Sequence, residues 1–119
     1  MKIGQAAAAS GCHIETIRYY ERIGLLPHPA RSVSGYREYL PEEVDRLRFI
    51  TRGRELGFSL EEIRSLLTLS DDPTLSCREV DQLARHHLAD VRQRLRELRR
   101  IAQELERTIA SCAGGKRGQ

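Results

Sequence analysis

A chain of 119 residues suffices for one small domain with an appended helix, and no apolar run in it approaches the ~20 residues that cross a bilayer. Charged residues make up 31% and aromatics 5%, with no Trp, so a monomer would have a thin core and dimerisation is the expected remedy. The net charge is only +3, yet every basic residue except Lys2 and Lys116 is Arg, which suits phosphate and guanine edges; nucleic acid is allowed as a partner without being demanded.

The predicted elements begin with IGQAAAAS, a short Ala-rich helix that Gly11 breaks in a tight turn. HIETIRYYERIG follows as a second helix. At about 100° per residue, Ile14, Ile17 and Tyr20 share one face, and Glu15, Arg18, Tyr19 and Arg22 the opposite one. A helix, a glycine turn and a helix with an Arg-rich outer face form a helix-turn-helix pattern. SVSGYREY then reads as a short hairpin, with turn residues at Ser34 and Gly35 and β-favouring Tyr36 and Tyr39. This hairpin is a wing carrying Arg31 and Arg37. Pro41 suits the first position of a third helix, with Glu42 and Glu43 in the turn where the macrodipole favours carboxylates. In PEEVDRLRFITRGRELG the inward residues are Val44, Leu47, Ile50 and Leu56, and Gly57 ends the helix. Ser59 and Glu62 form a capping box that opens SLEEIRSLLTL, and SDDPTL is a loop.

Ser76 and Glu79 form a second capping box, which places Cys77 at the first position of a long helix. Its apolar seam runs Ala84, Leu88, Val91, Leu95, Leu98, Ala102, Leu105, Ile109, in alternating steps of four and three. That is a heptad repeat, interrupted where Asp81 takes an early core position. Such a helix needs a partner. The fold expected is therefore mainly α: a winged helix-turn-helix over 1–40, a linking helix pair over 41–70, and a coiled-coil dimerisation helix over 76–112.

Cys77 and Cys112 lie on that seam five heptads apart, roughly 50 Å along one helix, so they cannot meet within a chain. If two helices pair antiparallel about residues 94–95, Cys77 of one meets Cys112 of the other, at both ends of a two-fold dimer. Parallel pairing gives only like-with-like contacts. Cys77 faces the positive end of the helix dipole, where negative charge is favoured, and thiolate is the form that binds soft metals. The bland alternative is that both are small seam residues. Cys12, at the turn into the second helix, reads as a packing residue, and His86 and His87 as seam-flanking or solvated. Three cysteines far apart, with no signal-peptide pattern at the N-terminus, point to the cytoplasm. No Ser/His/Asp set, Gly-rich phosphate loop or paired catalytic carboxylate is present, and an enzyme is not expected.

TIRYYERIGLLPHPARSVSGYREY resembles the MerR family of bacterial transcription regulators, and the resemblance extends through VDRLRFITRGRELGFSLEEIRSLL and the long helix. It implies a homodimer on double-stranded promoter DNA with RNA polymerase as partner, repressing without inducer and activating by bending and untwisting the DNA with it. Carried onto this chain, Arg18 and Tyr19 are recognition-helix contacts, Tyr36 and Arg37 wing contacts to the backbone, and Arg22, Arg31 and Lys2 weaker candidates. The resemblance also implies metal sensing by Cys77 of one subunit and Cys112 of the other, with residues 113–119 beginning the metal-binding loop. Copper(I) sensors of this type have Ser where Cys77 stands, so the implied inducer is divalent and thiophilic: mercury, zinc, cadmium or lead. A second loop cysteine is implied about eight or nine residues past Cys112, just beyond Gln119, as part of a closed thiolate site. The expectation is that the chain continues; the alternative is a two-cysteine site with a weaker third ligand. Copper(I) sensing, redox or organic-ligand sensing, and a scaffold role without DNA are the competing readings.

Overall fold

The computed structural model describes residues 1–27, 35 and 37–115, which comprise five α-helices and no strand. The helices are α1 (Ile3–Ser10), α2 (Ile14–Arg22), α3 (Pro41–Glu55), α4 (Leu60–Asp71) and α5 (Cys77–Ala113). The chain divides into two compact units, Met1–Thr68 and Leu69–Gln119. Half of the predicted hairpin, including Tyr36, lies outside the described residues, as does Arg31 before it.

In the first unit α1 packs on α2 and α3. Gly11 takes φ +74°, a left-handed conformation that glycine adopts without strain, and its N–H closes α1 by donating to Ala7 O at 3.0 Å. The Ser10 hydroxyl donates to Ala6 O at 2.7 Å and accepts from Cys12 N at 3.3 Å, which satisfies the tight turn locally. α3 opens as its sequence dictates, with Pro41 in the first turn and Glu42 and Glu43 near the positive end of the dipole. α4 opens on a reciprocal box: Glu62 N donates to Ser59 Oγ at 3.0 Å, and Ser59 N to Glu62 Oε1 at 3.1 Å.

The core is built from Ile17 and Tyr20 of α2, Leu25, Leu26 and Tyr39, Val44, Leu47 and Ile50 of α3, and Ile63 and Leu67 of α4. Cys12 is part of it, and burial pushes its thiol up against an opposing hydrogen bond from Thr51. One inward assignment is corrected. Leu56 is 69% exposed. One turn beyond Ile50 the inner face of α3 passes through Gly53, where an added Cβ would stand 3.1 Å from Ile63 Cδ1, a contact that Ile63 would have to shift to relieve. Ile14, at the very start of α2, sits at the edge of the core and is 37% exposed. α4 also runs through Ser70 and Asp71, so the loop begins later than expected.

In the second unit Asp72 Oδ1 accepts from Thr74 N at 2.9 Å, and this with the Thr74 hydroxyl holds the Asp72 carboxyl below its usual range. Ser76 Oγ then caps α5 by accepting from Glu79 N at 3.2 Å. α5 extends for 37 residues, about 55 Å, without one buried residue.

The contrast along α3 is measurable. Leu47→Ala should cost about 3 kcal/mol by thermal or chemical denaturation, whereas Leu56→Ala should stay within roughly 0.5 kcal/mol of the parent. Equal losses at both positions would contradict the assignment of α3's inner face.

Candidate nucleic-acid interface and metal centre

α2 presents the chemistry that duplex DNA asks for. With Ile17, Tyr20 and Glu21 turned inward, its outer side carries Arg18, Tyr19 and Arg22. Arg18 Nη1 donates to Glu15 Oε1 one turn earlier at 3.0 Å, yet half of the Arg18 side chain stays exposed. The Arg22 guanidinium stands 5.7 Å from the centroid of the Tyr19 ring, a cation–π contact that limits the rotamers of both. Arg22 also complements the negative end of the α2 dipole. An amphipathic ring and two guanidinium groups thus share one exposed face, with donors for phosphate and base edges.

Four side chains from later in the sequence hold α2 in place through three ties. Gly24, at φ +76°, turns the chain after the helix, and two carbonyls of that turn are taken by arginines. Arg64 Nη2 donates to Ile23 O at 2.8 Å, and Arg46 Nε to Leu25 O at 3.0 Å. The third tie runs through Glu21, to Arg37 and Tyr39. The Glu21 side chain is only 2% exposed, and its carboxylate accepts from Arg37 Nη1 at 2.7 Å and from the Tyr39 hydroxyl. A buried carboxylate is costly unless charge-paired and hydrogen-bonded, and here it is both. Burial, followed by the adjacent Glu21, pushes the Tyr39 hydroxyl from its ordinary 10.0 up to about 12, against the opposing Arg37. Tyr39 is further pinned through its backbone, with Tyr39 N donating to Met1 O at 2.7 Å and the Met1 amino group to Tyr39 O at 2.9 Å.

The sequence-predicted residues distribute accordingly. Arg18, Tyr19 and Arg22 lie together on α2, and Arg37 is bound to the same helix through Glu21. Lys2 is exposed at the start of α1, its N–H donating to Gln5 Oε1 at 2.9 Å. Glu21, Arg46 and Arg64 were not anticipated. For Glu21 a signal existed: a carboxylate on the buried stripe one residue past Tyr20 demands a cation partner. For the two arginines none did, since their partners are backbone carbonyls.

On α5, Cys77 and Cys112 are exposed free thiols at the first and last turns. Among the described residues of one chain, no group of three or more His, Cys, Asp or Glu side chains forms a metal-holding cluster. The donor set suits a soft metal, but one chain brings only one thiol to either end. His86 stacks edge-on against His87 at 5.7 Å and approaches Asp90 Oδ2 at 3.8 Å, mid-helix and away from both cysteines.

Comparison with known proteins resolves what this arrangement belongs to. Residues 1–69 match the family model of the MerR HTH family regulatory protein, and residues 44–108 match that of MerR, DNA binding. The chain belongs to the MerR family. The HTH-type transcriptional regulator HmrR of Rhizobium leguminosarum bv. viciae is 42% identical, over 98% of this chain and 90% of that protein. The mercuric resistance operon regulatory protein of Bacillus cereus is 41% identical, over 97% and 87%. Among solved structures, the transcription regulator PbrR691 of Ralstonia metallidurans CH34, in complex with lead(II), is 43% identical with a TM-score of 0.58, covering 93% of this chain and 86% of that one. These MerR relatives are transcription regulators, not enzymes, and the long C-terminal helix is part of the MerR-type fold. No described helix is long and apolar enough to cross a membrane.

The Glu21–Tyr39 bond makes a pH-dependent prediction. Folded Tyr39 holds its proton up to about 12 and the unfolded tyrosine only to 10.0, so between these values the folded chain carries more protons. Stability therefore falls as pH rises through that window, and is unaffected by this group below it. Tyr39→Phe should lower stability at neutral pH by roughly 1–3 kcal/mol and flatten the alkaline decline in denaturation experiments. An unchanged alkaline slope would contradict the bond.

Proposed function

We propose that this chain is a metal-responsive transcription regulator that works as a homodimer on double-stranded promoter DNA. Arg18, Tyr19 and Arg22 contact bases and phosphates from α2. Arg37 contacts the backbone from the wing, with Tyr36, Arg31 and Lys2 as further contacts. The inducer is a thiophilic divalent ion of the mercury, zinc, cadmium and lead group. RNA polymerase is the partner at the promoter and the cytoplasm the setting. Repression passes to activation when the ion changes the dimer's grip, and with it the bend and twist of the DNA.

The observation that carries this reading is α5 itself. Leu88, Leu95, Leu98, Leu105 and Ile109 are each 44% exposed or more along one seam, and a contiguous apolar stripe of that length calls for a partner helix. Both thiols belong to the same seam, at its two ends. Antiparallel pairing about residues 94–95 brings Cys77 level with the partner subunit's Cys112 and builds two identical mixed sites. In that register His86 lies about 13 Å along the axis from Cys77, so neither mid-helix histidine is taken as a ligand. Residues 113–119 begin the loop that encloses the ion, and two glycines, Gly114 and Gly115, open it. A relative named for mercuric resistance and another solved with lead(II) favour this inducer class over a redox or organic signal.

Titration with cadmium, lead or mercury under reducing conditions tests the proposal. The parent should develop a thiolate–metal charge-transfer band. Cys77→Ser and Cys112→Ser should each lower affinity by at least the roughly 10–100-fold that loss of a mere outer-shell partner costs. A band of undiminished affinity in either variant would sink the shared-site reading.

A further inference from the structure

We propose that Glu21 is a positioning residue for DNA binding, holding the Arg37 guanidinium against the recognition helix so that it meets phosphate already oriented. The inference rests on the reading of Arg37 as a backbone contact. Glu21 is buried and cannot itself reach DNA, yet its carboxylate accepts from Arg37 Nη1 at 2.7 Å while 38% of the Arg37 side chain remains exposed. A guanidinium has five N–H donors in a rigid fork, so engagement by one carboxylate leaves others geometrically able to meet a second acceptor. Glu21 is one helical turn from Arg18 and next to Arg22 on α2. The pair therefore draws a residue distant in sequence to the same end of the helix as the two recognition-helix arginines.

The arrangement runs against simple electrostatics. A carboxylate this close to a phosphate contact subtracts from the attraction for DNA, so removing it should by charge alone tighten binding. Positioning predicts the opposite sign. Tyr39 allows the two roles of Glu21 to be separated: its hydroxyl binds the same carboxylate, but Tyr39 is buried and has no part in the exposed face.

The test is a double-mutant cycle on DNA affinity. It uses the full chain and a labelled duplex from upstream of its own coding sequence, read by anisotropy over a salt series at temperatures where melting curves show every variant folded. Arg37→Ala should weaken binding about tenfold and lower the salt slope by about one. Glu21→Gln should also weaken it about tenfold, but by less than about twofold when added to Arg37→Ala. Tyr39→Phe should lower the melting temperature and leave affinity unchanged.

If Arg37→Ala has no effect, the reading of Arg37 as a DNA contact fails, and the inference with it. If Arg37→Ala weakens binding while Glu21→Gln tightens it or leaves it unchanged, the positioning role alone is overturned. It is equally overturned if Glu21→Gln weakens binding as much in the Arg37→Ala background, or if Tyr39→Phe matches its loss.

Discussion

An α-helix of 37 residues that buries none of them has to find cover, and most of the account follows from that requirement. Helix propensity alone does not sustain an amphipathic helix of this length in water; packing of its apolar stripe does. A second copy of the same helix offers a complementary seam at no cost in new sequence, and an antiparallel two-fold arrangement makes both ends alike. The positions of Cys77 and Cys112 then acquire a common meaning. Each is an exposed thiol outside any ligand cluster among the described residues of its own chain, and on the pairing we propose each would be half of a site shared across the dimer. On that proposal a metal bound there would join two subunits, and its binding free energy would act on how they are held together.

The first unit solves a different problem. Its core is small, and Arg46 and Arg64 each donate a guanidinium N–H to a backbone carbonyl just past α2. These bonds tie the end of α2 down and leave Arg18, Tyr19 and Arg22 on its exposed side. Glu21 extends the same logic to Arg37 and Tyr39, which share its one buried carboxylate. An arginine-rich protein of small net charge results: some of its cations are structural, and only the outward ones are available to phosphate.

Periodicity made the long helix legible from the residues, and capping chemistry made its start legible. Ser76 does cap α5, Ser59 and Glu62 form the reciprocal box, and Gly11 takes the left-handed turn. These features are local, decided by residues a few positions apart. Leu56 was misread because it is the cap residue just past α3, and at about 100° per residue it lies opposite Leu47. Ile14 shares the face of Ile17 and Tyr20 but, as the first residue of α2, stays 37% exposed. Glu21, Arg46 and Arg64 stayed hidden for another reason: their partners lie 16 to 41 residues away, and such contacts exist only after folding. Arg31 and Tyr36, outside the described residues, rest on the sequence resemblance alone.

The central claim is that each metal site is shared between two subunits, and mixing two defective proteins tests it directly. Cys77→Ser and Cys112→Ser are each prepared alone, then unfolded and refolded together in equal amounts. Half of the random dimers are then mixed, and each mixed dimer regains one complete site, formed by the intact Cys77 of one subunit and the intact Cys112 of the other. The charge-transfer band with cadmium or mercury should return to about a quarter of its parental intensity, against none in either protein alone. A mixture as inert as its two components would contradict the shared site.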